Sequence, residues 1–98
     1  MANILDKIIE DKKESLKEIK KSISLDSIEN TIKSLNNFLN FKEVLANNKG
    51  ASLITEIKKA SPSAGELVKD FNHLNIAKMY VDNGATCLSV LTEEKHFL

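Results

Sequence analysis

The chain has 98 residues, enough for one small domain with a modest core, and its 42% hydrophobic and 29% charged content is typical of a folded globular protein. Lys plus Arg number 14, as do Asp plus Glu, so no net charge attracts nucleic acid or a membrane surface.

The chain has a single cysteine, Cys87, which cannot form an internal disulfide, and this indicates a reducing compartment. We interpret Cys87 as a small buried side chain in a strand. No apolar run reaches the ~20 residues of a membrane span, and charges interrupt any signal-peptide pattern. We expect a cytoplasmic protein without nucleic-acid or membrane partners.

The first half of the chain has the pattern of helices. Apolar side chains recur at helical spacing through residues 4–23 and again through residues 25–35, where Ser24 or Asp26 can cap the second helix. Along the first helix, Glu and Lys lie three apart, which predicts a solvated outer face opposite an apolar stripe that faces a core. A short third helix is predicted from Phe38 to Leu45. We therefore assign residues 1–50 to a helical N-terminal extension without a catalytic constellation.

The second half, residues 51–98, has the pattern of a βαβ unit. Buried strands are predicted at Ser52–Lys58 and at Thr86–Leu91, and a loop at Lys59–Leu67. Asp70 or Asn72 can start the intervening helix, and Gly84 follows it where a residue at positive φ is favoured. Such a crossover implies parallel strands. The residues that this helix is expected to bury are Leu74, Ile76, Ala77, Tyr80 and Val81. Because two strands do not make a stable parallel sheet, further strands are needed.

Polar side chains follow both predicted strands, at the end where parallel α/β folds bind ligands. Glu56 and Lys58 lie two apart, so on a strand they leave the same face, and an ammonium held beside a carboxylate can bind an anion or donate a proton. The alternative is a structural ion pair. Similarly, Ser61 and the Pro and Gly that follow it form either an anion-binding loop or only a turn. His73, near a helix start, is interpreted as a surface or capping residue rather than a catalytic one. The sequence shows no Cys/His cluster and no nucleotide-binding loop, so we expect no metal and no cofactor.

Two longer strings carry a resemblance to a known family. The first is EIKKASPSAG at residues 56–65, and the second is MYVDNGATCLSVLTEEKHF at residues 79–97. Together they resemble indole-3-glycerol phosphate synthase, in which a Glu-x-Lys strand end precedes a Ser-Pro-Ser-x-Gly loop and the second strand reads Ser-Val-Leu-Thr-Glu. The resemblance covers essentially the whole chain. It implies an α/β fold, the N-terminal portion of a (β/α)₈ barrel, in which a helical extension precedes a βαβ unit with two parallel strands.

The resemblance also implies a reaction and a set of site residues. The family is a carboxy-lyase of tryptophan biosynthesis that closes the indole ring of 1-(2-carboxyphenylamino)-1-deoxyribulose 5-phosphate, with loss of carbon dioxide and water. By resemblance, Lys58 contacts the anionic substrate and serves in acid catalysis, and Glu56 orients it and assists proton transfer. Ser61 holds the substrate on the first loop, and Ser89 and Phe97 line the pocket for the aromatic ring.

The chain departs from the family pattern mainly in length. A (β/α)₈ barrel has about 250 residues. This sequence has no counterpart of the family's further catalytic Lys on the third strand or of its catalytic Glu on the fourth strand. It also has no counterpart of the family's phosphate-binding loops near the seventh and eighth strands. We therefore expect a segment of the enzyme that has no turnover when isolated. The alternative is a non-catalytic fragment or remnant that self-associates or binds a partner through exposed strand edges. Smaller departures are Ala64, Asn72-His73 and His96.

Overall fold

The computed structural model describes residues 3–98, whose contacts divide into two units, one ending at Leu39 and the other comprising Asn40–Leu98. Within the described residues, the first unit has two helices, and the second has three helices and four short strands. The predicted succession of helices followed by a strand, a helix and a parallel strand is confirmed. The chain is therefore an α/β protein whose parallel strand pair lies in the second unit.

Capping side chains determine where the first two helices begin. Helix α1 spans Ile4–Ser22, and at its start the Asn3 side chain accepts a hydrogen bond from the Asp6 N–H while the Asp6 carboxylate accepts one from the Asn3 N–H. This reciprocal pair is a capping box, which satisfies two of the N–H groups that a helix start leaves unpaired. Helix α2 spans Leu25–Ser34, and Ser24 caps it by accepting a hydrogen bond from the Ser27 N–H at 3.1 Å.

The apolar stripe of α1 and α2 is exposed rather than buried. Ile9 and Leu16 keep 43% and 42% of their surface accessible, Leu25 keeps 69%, and neither helix contains a buried residue. The prediction that this stripe faces a core was therefore wrong for the residues described. Helical spacing specifies which side chains share a face, but it does not specify what covers that face.

A third helix, α3, spans Phe41–Asn47. It begins later than predicted because Asn40 caps it, with its side chain accepting a hydrogen bond from the Glu43 N–H at 2.9 Å. Phe38 consequently lies before the helix and is 71% exposed. The helix packs against the strand Cys87–Val90, so it belongs to the unit that contains the sheet.

Two parallel strands form the centre of the second unit. Strand β1 spans Ile54–Ile57 and pairs with Cys87–Val90, in a register that places Ile54 opposite Cys87 and Ile57 opposite Val90. Both strands are shorter than predicted. Two threonines extend the contact at one end, since the Thr86 Oγ1 accepts a hydrogen bond from the Leu53 N–H at 3.0 Å and the Thr55 hydroxyl donates to the Cys87 carbonyl at 3.2 Å.

The loop after β1 contains a small antiparallel ladder that the sequence did not predict. Strand β2 spans Ala60–Ser61 and pairs with strand β3 at Gly65–Glu66, and the Leu67 N–H donates to the Lys59 carbonyl at 2.8 Å just outside it. A two-residue strand is too short to show the alternation by which strands are recognised. The ladder gives this loop a defined backbone.

A helix connects the two parallel strands, as predicted. Helix α4 spans His73–Asp82, and Asn72 caps it by accepting a hydrogen bond from the Asn75 N–H at 3.1 Å. At its other end Gly84 has φ +92°. The Gly84 N–H donates to the Val81 carbonyl and the next N–H donates to the Tyr80 carbonyl, the two bonds of a Schellman motif. This turn directs the chain into strand β4, which is Cys87–Val90, and a short helix α5 follows at Glu94–Phe97.

The core of the described residues is small, with Ile57 and Ala60 at the carboxyl end of β1 and Cys87 at the start of β4. Only Ile57, Ala60 and Cys87 are buried among the described apolar side chains, at 3%, 3% and 8% exposure. The prediction for Cys87 is confirmed. The prediction of buried strands is correct for Ile57 and Cys87 but wrong for Ile54 and Val90, which are 51% and 53% exposed.

The same correction applies to α4. Ile76, Ala77 and Tyr80 are half-buried, whereas Leu74 and Val81 are 69% and 59% exposed. A helix ten residues long can turn only part of its apolar surface toward a two-stranded sheet.

Candidate active site

The best-defined polar cluster lies where β1 ends. The Lys58 Nζ is 3.4 Å from the Glu56 Oε1, and their side chains are 33% and 50% exposed, respectively. Alternation along the strand turns both side chains to one face, and this brings the two charges together. A half-exposed ion pair contributes only about 0–1 kcal/mol to folding. The contribution of this pair to folding stability is therefore too small to explain why a carboxylate and an ammonium lie together at this strand end.

Ser89 lies beside this pair on the neighbouring strand. It is the direct ladder partner of Glu56, and its side chain is half-buried. Because paired residues of parallel strands project to the same side of the sheet, Ser89 shares the face of Glu56 and Lys58. A hydroxyl, a carboxylate and an ammonium thus converge on one face, a combination that can bind an anionic group and exchange a proton with it.

Ser61 lies on the loop beyond the pair. Its Oγ accepts a hydrogen bond from the Ala64 N–H at 3.1 Å, which closes the turn between β2 and β3. Gly65, at φ +68°, pairs with Ser61 across that ladder. The hydroxyl of Ser61 therefore has one acceptor position occupied by the loop, while its own hydrogen can still be donated to a ligand.

Phe97 is the last residue of α5 and is half-buried. Helix α5 contacts β2, so the segment after β4 packs against the loop after β1. Glu93 caps α5 through its carboxylate, which accepts hydrogen bonds from the Lys95 and His96 N–H groups at 3.3 and 2.6 Å. All five predicted site residues thus lie at the same end of the parallel strand pair, and Glu56 and Lys58 are the two in ion-pair contact.

The structure identifies one contact at this site that sequence reasoning missed. The Tyr80 hydroxyl on α4 donates to the Glu56 main-chain carbonyl at 3.0 Å, across 24 positions of sequence. Tyr80 was predicted only as an apolar residue of the helix. No local pattern signals a side-chain to backbone bond between two elements this far apart, so the sequence offered no means of finding it.

The described residues, 3–98, contain neither a metal-binding cluster nor a membrane-spanning helix. No group of three or more His, Cys, Asp or Glu side chains in this range is arranged to hold a metal ion. No helix in the same range is both long and apolar enough to cross a membrane.

Comparison with known proteins identifies a family. The family model described as indole-3-glycerol phosphate synthase matches residues 5–98, which is nearly the whole chain. The match includes both parallel strands and every residue of the cluster described above.

Individual relatives bear the same name. The indole-3-glycerol phosphate synthase of Clostridium acetobutylicum is 48% identical over 96 residues, an alignment that covers 97% of this chain and 36% of the relative. The proteins of that name from Alkaliphilus metalliredigens and Desulforamulus reducens are 45% and 42% identical over 95 residues, again with 97% and 36% coverage. The chain therefore spans about a third of the length of the curated relatives it matches.

Proposed function

Since the chain belongs to the indole-3-glycerol phosphate synthase family, we propose that it forms the first part of that enzyme's active site, at the carboxyl ends of β1 and β4. The proposed fold is the N-terminal portion of a (β/α)₈ barrel, in which catalytic residues stand at strand ends of this kind. The proposed reaction closes the indole ring of 1-(2-carboxyphenylamino)-1-deoxyribulose 5-phosphate with loss of carbon dioxide and water. The supporting observation is the Glu56–Lys58 pair, which lies beside Ser89 at a strand end.

Lys58 is the proposed general acid. Ring closure adds a carbon of the aromatic ring to the substrate's carbonyl carbon, so negative charge develops on the carbonyl oxygen and must be neutralised by a proton. An ammonium also attracts the substrate's carboxylate, and it therefore aids both binding and the approach of the reacting atoms. Lys58 is partly withdrawn from water, with 33% of its side chain exposed, which strengthens its attraction for an anion relative to a fully solvated lysine.

Glu56 is the proposed partner that orients this ammonium and assists proton transfer. With its Oε1 3.4 Å from the Lys58 Nζ, the carboxylate limits the directions in which the Nζ points. Loss of water after ring closure requires a proton to leave carbon and another to reach the departing hydroxyl. A carboxylate and an ammonium in contact can supply both transfers.

The proposed substrate-binding residues surround this pair. Ser89, the ladder partner of Glu56, and Phe97, on α5, line the pocket for the aromatic ring. Ser61 donates to the substrate from the loop, with its oxygen already held by the Ala64 N–H. The proposed site residues therefore come from the carboxyl ends of β1 and β4 and from the segments that follow these two strands.

The pair alone does not complete the proposed reaction. Because the chain covers 36% of the relative from C. acetobutylicum, most of that enzyme's barrel has no counterpart among these residues. By family resemblance, the missing parts include a second catalytic Lys, a catalytic Glu and the phosphate-binding loops. We therefore expect no turnover from the isolated chain.

A hybrid protein tests the proposal. In this hybrid, the chain replaces the matching segment of the C. acetobutylicum relative, and formation of indole-3-glycerol phosphate is measured directly. The unaltered hybrid should be active and its Lys58→Ala variant should lose at least about a hundredfold in kcat/KM. Lys78→Ala is the matched control, since Lys78 forms a comparable pair with Asp82 at 2.8 Å on the exposed face of α4. A hybrid that folds but forms no product, or a fully active Lys58→Ala variant, would refute the proposal.

A further inference from the structure

The turn between helix α4 and strand β4 contains the dipeptide Asn83-Gly84. Of the three glycines in the sequence, Gly84 is the only one that follows an asparagine. An asparagine before a glycine is prone to deamidation, because no Cβ hinders the approach of the glycine nitrogen to the side-chain carbonyl carbon. Both residues are exposed, so water, the second reactant, has access to them.

The reaction at such a dipeptide has two steps and needs only water as co-reactant. The Gly84 main-chain nitrogen bonds to the Asn83 Cγ, and its proton is carried by water to the side-chain nitrogen, which leaves as ammonia. The product is a five-membered succinimide ring, and water then opens one of its two carbonyl–nitrogen bonds. One opening gives aspartate, and the other gives isoaspartate, in which the main chain runs through the side-chain carbon.

The structure holds both reacting groups in a geometry that prevents ring closure. Asn83 has a ψ of 18°, which turns the Gly84 nitrogen away from the Asn83 side chain, whereas ring closure needs both on the same side of the Cα–C bond. The Gly84 N–H donates to the Val81 carbonyl at 3.2 Å, and the Asn83 Nδ2 donates to the Met79 carbonyl at 2.8 Å. The attacking and the leaving nitrogen are therefore both bound to the last turn of α4, and these bonds have to break before the backbone can rotate.

We propose that Asn83-Gly84 is a deamidation site controlled by the last turn of α4, which blocks the reaction when it is formed and allows it when it opens. Terminal turns of helices open locally at a lower free-energy cost than the whole fold. Gly84 has φ +92°, a conformation that favours glycine, so the residue that makes the dipeptide reactive is also the one that the turn requires. The inference concerns α4 and its turn and does not depend on the proposed reaction.

Deamidation would weaken this end of the helix and change how the chain enters β4. The new carboxylate places a negative charge at the C-terminus of α4, where the helix dipole disfavours it, and the hydrogen bond from Nδ2 to the Met79 carbonyl is lost. Isoaspartate also lengthens the main chain by a methylene shortly before Cys87, the first residue of β4 in the ladder with β1.

The first experiment follows deamidation by mass spectrometry with peptide mapping, for the chain and for the hybrid protein. In guanidinium chloride, Asn83 should react faster than any other asparagine, and Gly84→Ala should slow the reaction at least about tenfold, because it adds a Cβ beside the attacking nitrogen. A faster reaction at another asparagine, or no effect of Gly84→Ala, would overturn the assignment of the site.

The same proteins in native buffer test the control by the turn. The reaction at Asn83 should be at least about tenfold slower than in denaturant, and the Gly84 amide should be protected from hydrogen exchange by a similar factor, because both processes need the same opening. A Gly84 amide without protection in both proteins, or fast deamidation despite protection, would overturn the proposal.

The second experiment measures what the modification does to the fold. Asn83→Asp reproduces one product, and Asn75→Asp is the matched control, because it places the same carboxylate in the first turn of α4, where the helix dipole favours it. Asn83→Asp should lower the midpoint of denaturation by guanidinium chloride, and Asn75→Asp should not. An Asn83→Asp midpoint equal to that of the unaltered protein would overturn the inferred effect on the helix end.

Discussion

Glu56 and Ser89 are direct partners across the parallel ladder of β1 and β4, although they lie 33 positions apart in the sequence. This register places a carboxylate and a hydroxyl side by side at the end of two neighbouring strands, with Lys58 one alternation further along. A shift of the register by one residue would turn Ser89 to the opposite face and separate it from the pair. The candidate site therefore depends on strand pairing as much as on the identity of its residues.

Glu56→Gln tests whether the carboxylate has a functional role or is only half of a structural pair. In the hybrid protein we expect kcat to fall at least about tenfold, because the amide cannot orient Lys58 electrostatically or accept a proton. The free energy of unfolding should change by less than about 1 kcal/mol, as is usual for exposed pairs. Asp82→Asn serves as the control, since it breaks the exposed pair with Lys78. Equal activity of Glu56→Gln and the unaltered hybrid would support the structural interpretation instead.

Ser61→Ala tests the loop that follows β1. The substitution removes the acceptor of the Ala64 N–H, so this amide should exchange with solvent about fivefold faster, the equivalent of one hydrogen bond of about 1 kcal/mol. Hydrogen exchange measured by NMR on the isolated chain checks this. Ser63→Ala alters a neighbouring exposed hydroxyl and should leave the Ala64 amide unchanged. Similar exchange rates in all three proteins would mean that the Ser61 hydroxyl does not hold the turn.

The types of element were predictable because they depend on neighbours in the sequence. Helical spacing identified α1 and α2. Ser24 and Asn72 cap helices, as their hydrogen-bonding side chains predict. Gly84 adopts the positive φ that is expected of a residue just after a helix. Glu56 and Lys58 meet because alternation along a strand is also local. Each of these inferences needed no knowledge of any other part of the chain.

The remaining features depend on residues distant in the sequence. The Tyr80 hydroxyl reaches Glu56 across 24 positions, and the Thr86 Oγ1 accepts from the Leu53 N–H across 33. Burial was mispredicted for the same reason, since Ile54 and Val90 show the apolar character of core residues but are half-exposed in the described chain. The apolar character of a side chain indicates that it favours a buried environment. Whether it is buried depends on which other elements pack against it.

The exposed apolar surface predicts that the isolated chain self-associates as its concentration rises. Val90, on a strand with an unpaired edge, is 53% exposed, and such strands readily pair with another copy. Sedimentation velocity over a range of concentrations measures the association. Val90→Lys should weaken it by placing a charge on the strand, whereas Val81→Lys, at a residue of 59% exposure on α4, should not. A chain that remains monomeric at every concentration, or equal effects of the two variants, would contradict the involvement of the strand.

Thr86→Val tests what fixes the register on which the site depends. The Thr86 Oγ1 accepts from the Leu53 N–H at 3.0 Å, just before the first ladder pair of Ile54 and Cys87. Valine keeps the shape and the strand preference of threonine but cannot accept this bond, so the free energy of unfolding should fall by about 1 kcal/mol, as measured by urea denaturation. Thr92→Val is the control, because Thr92 is exposed beyond the end of the ladder. If the bond also holds the register, the amide signals of Glu56 and Ser89 should shift in Thr86→Val and not in the control. A loss of stability without such shifts would show that the ladder keeps its register without this hydroxyl.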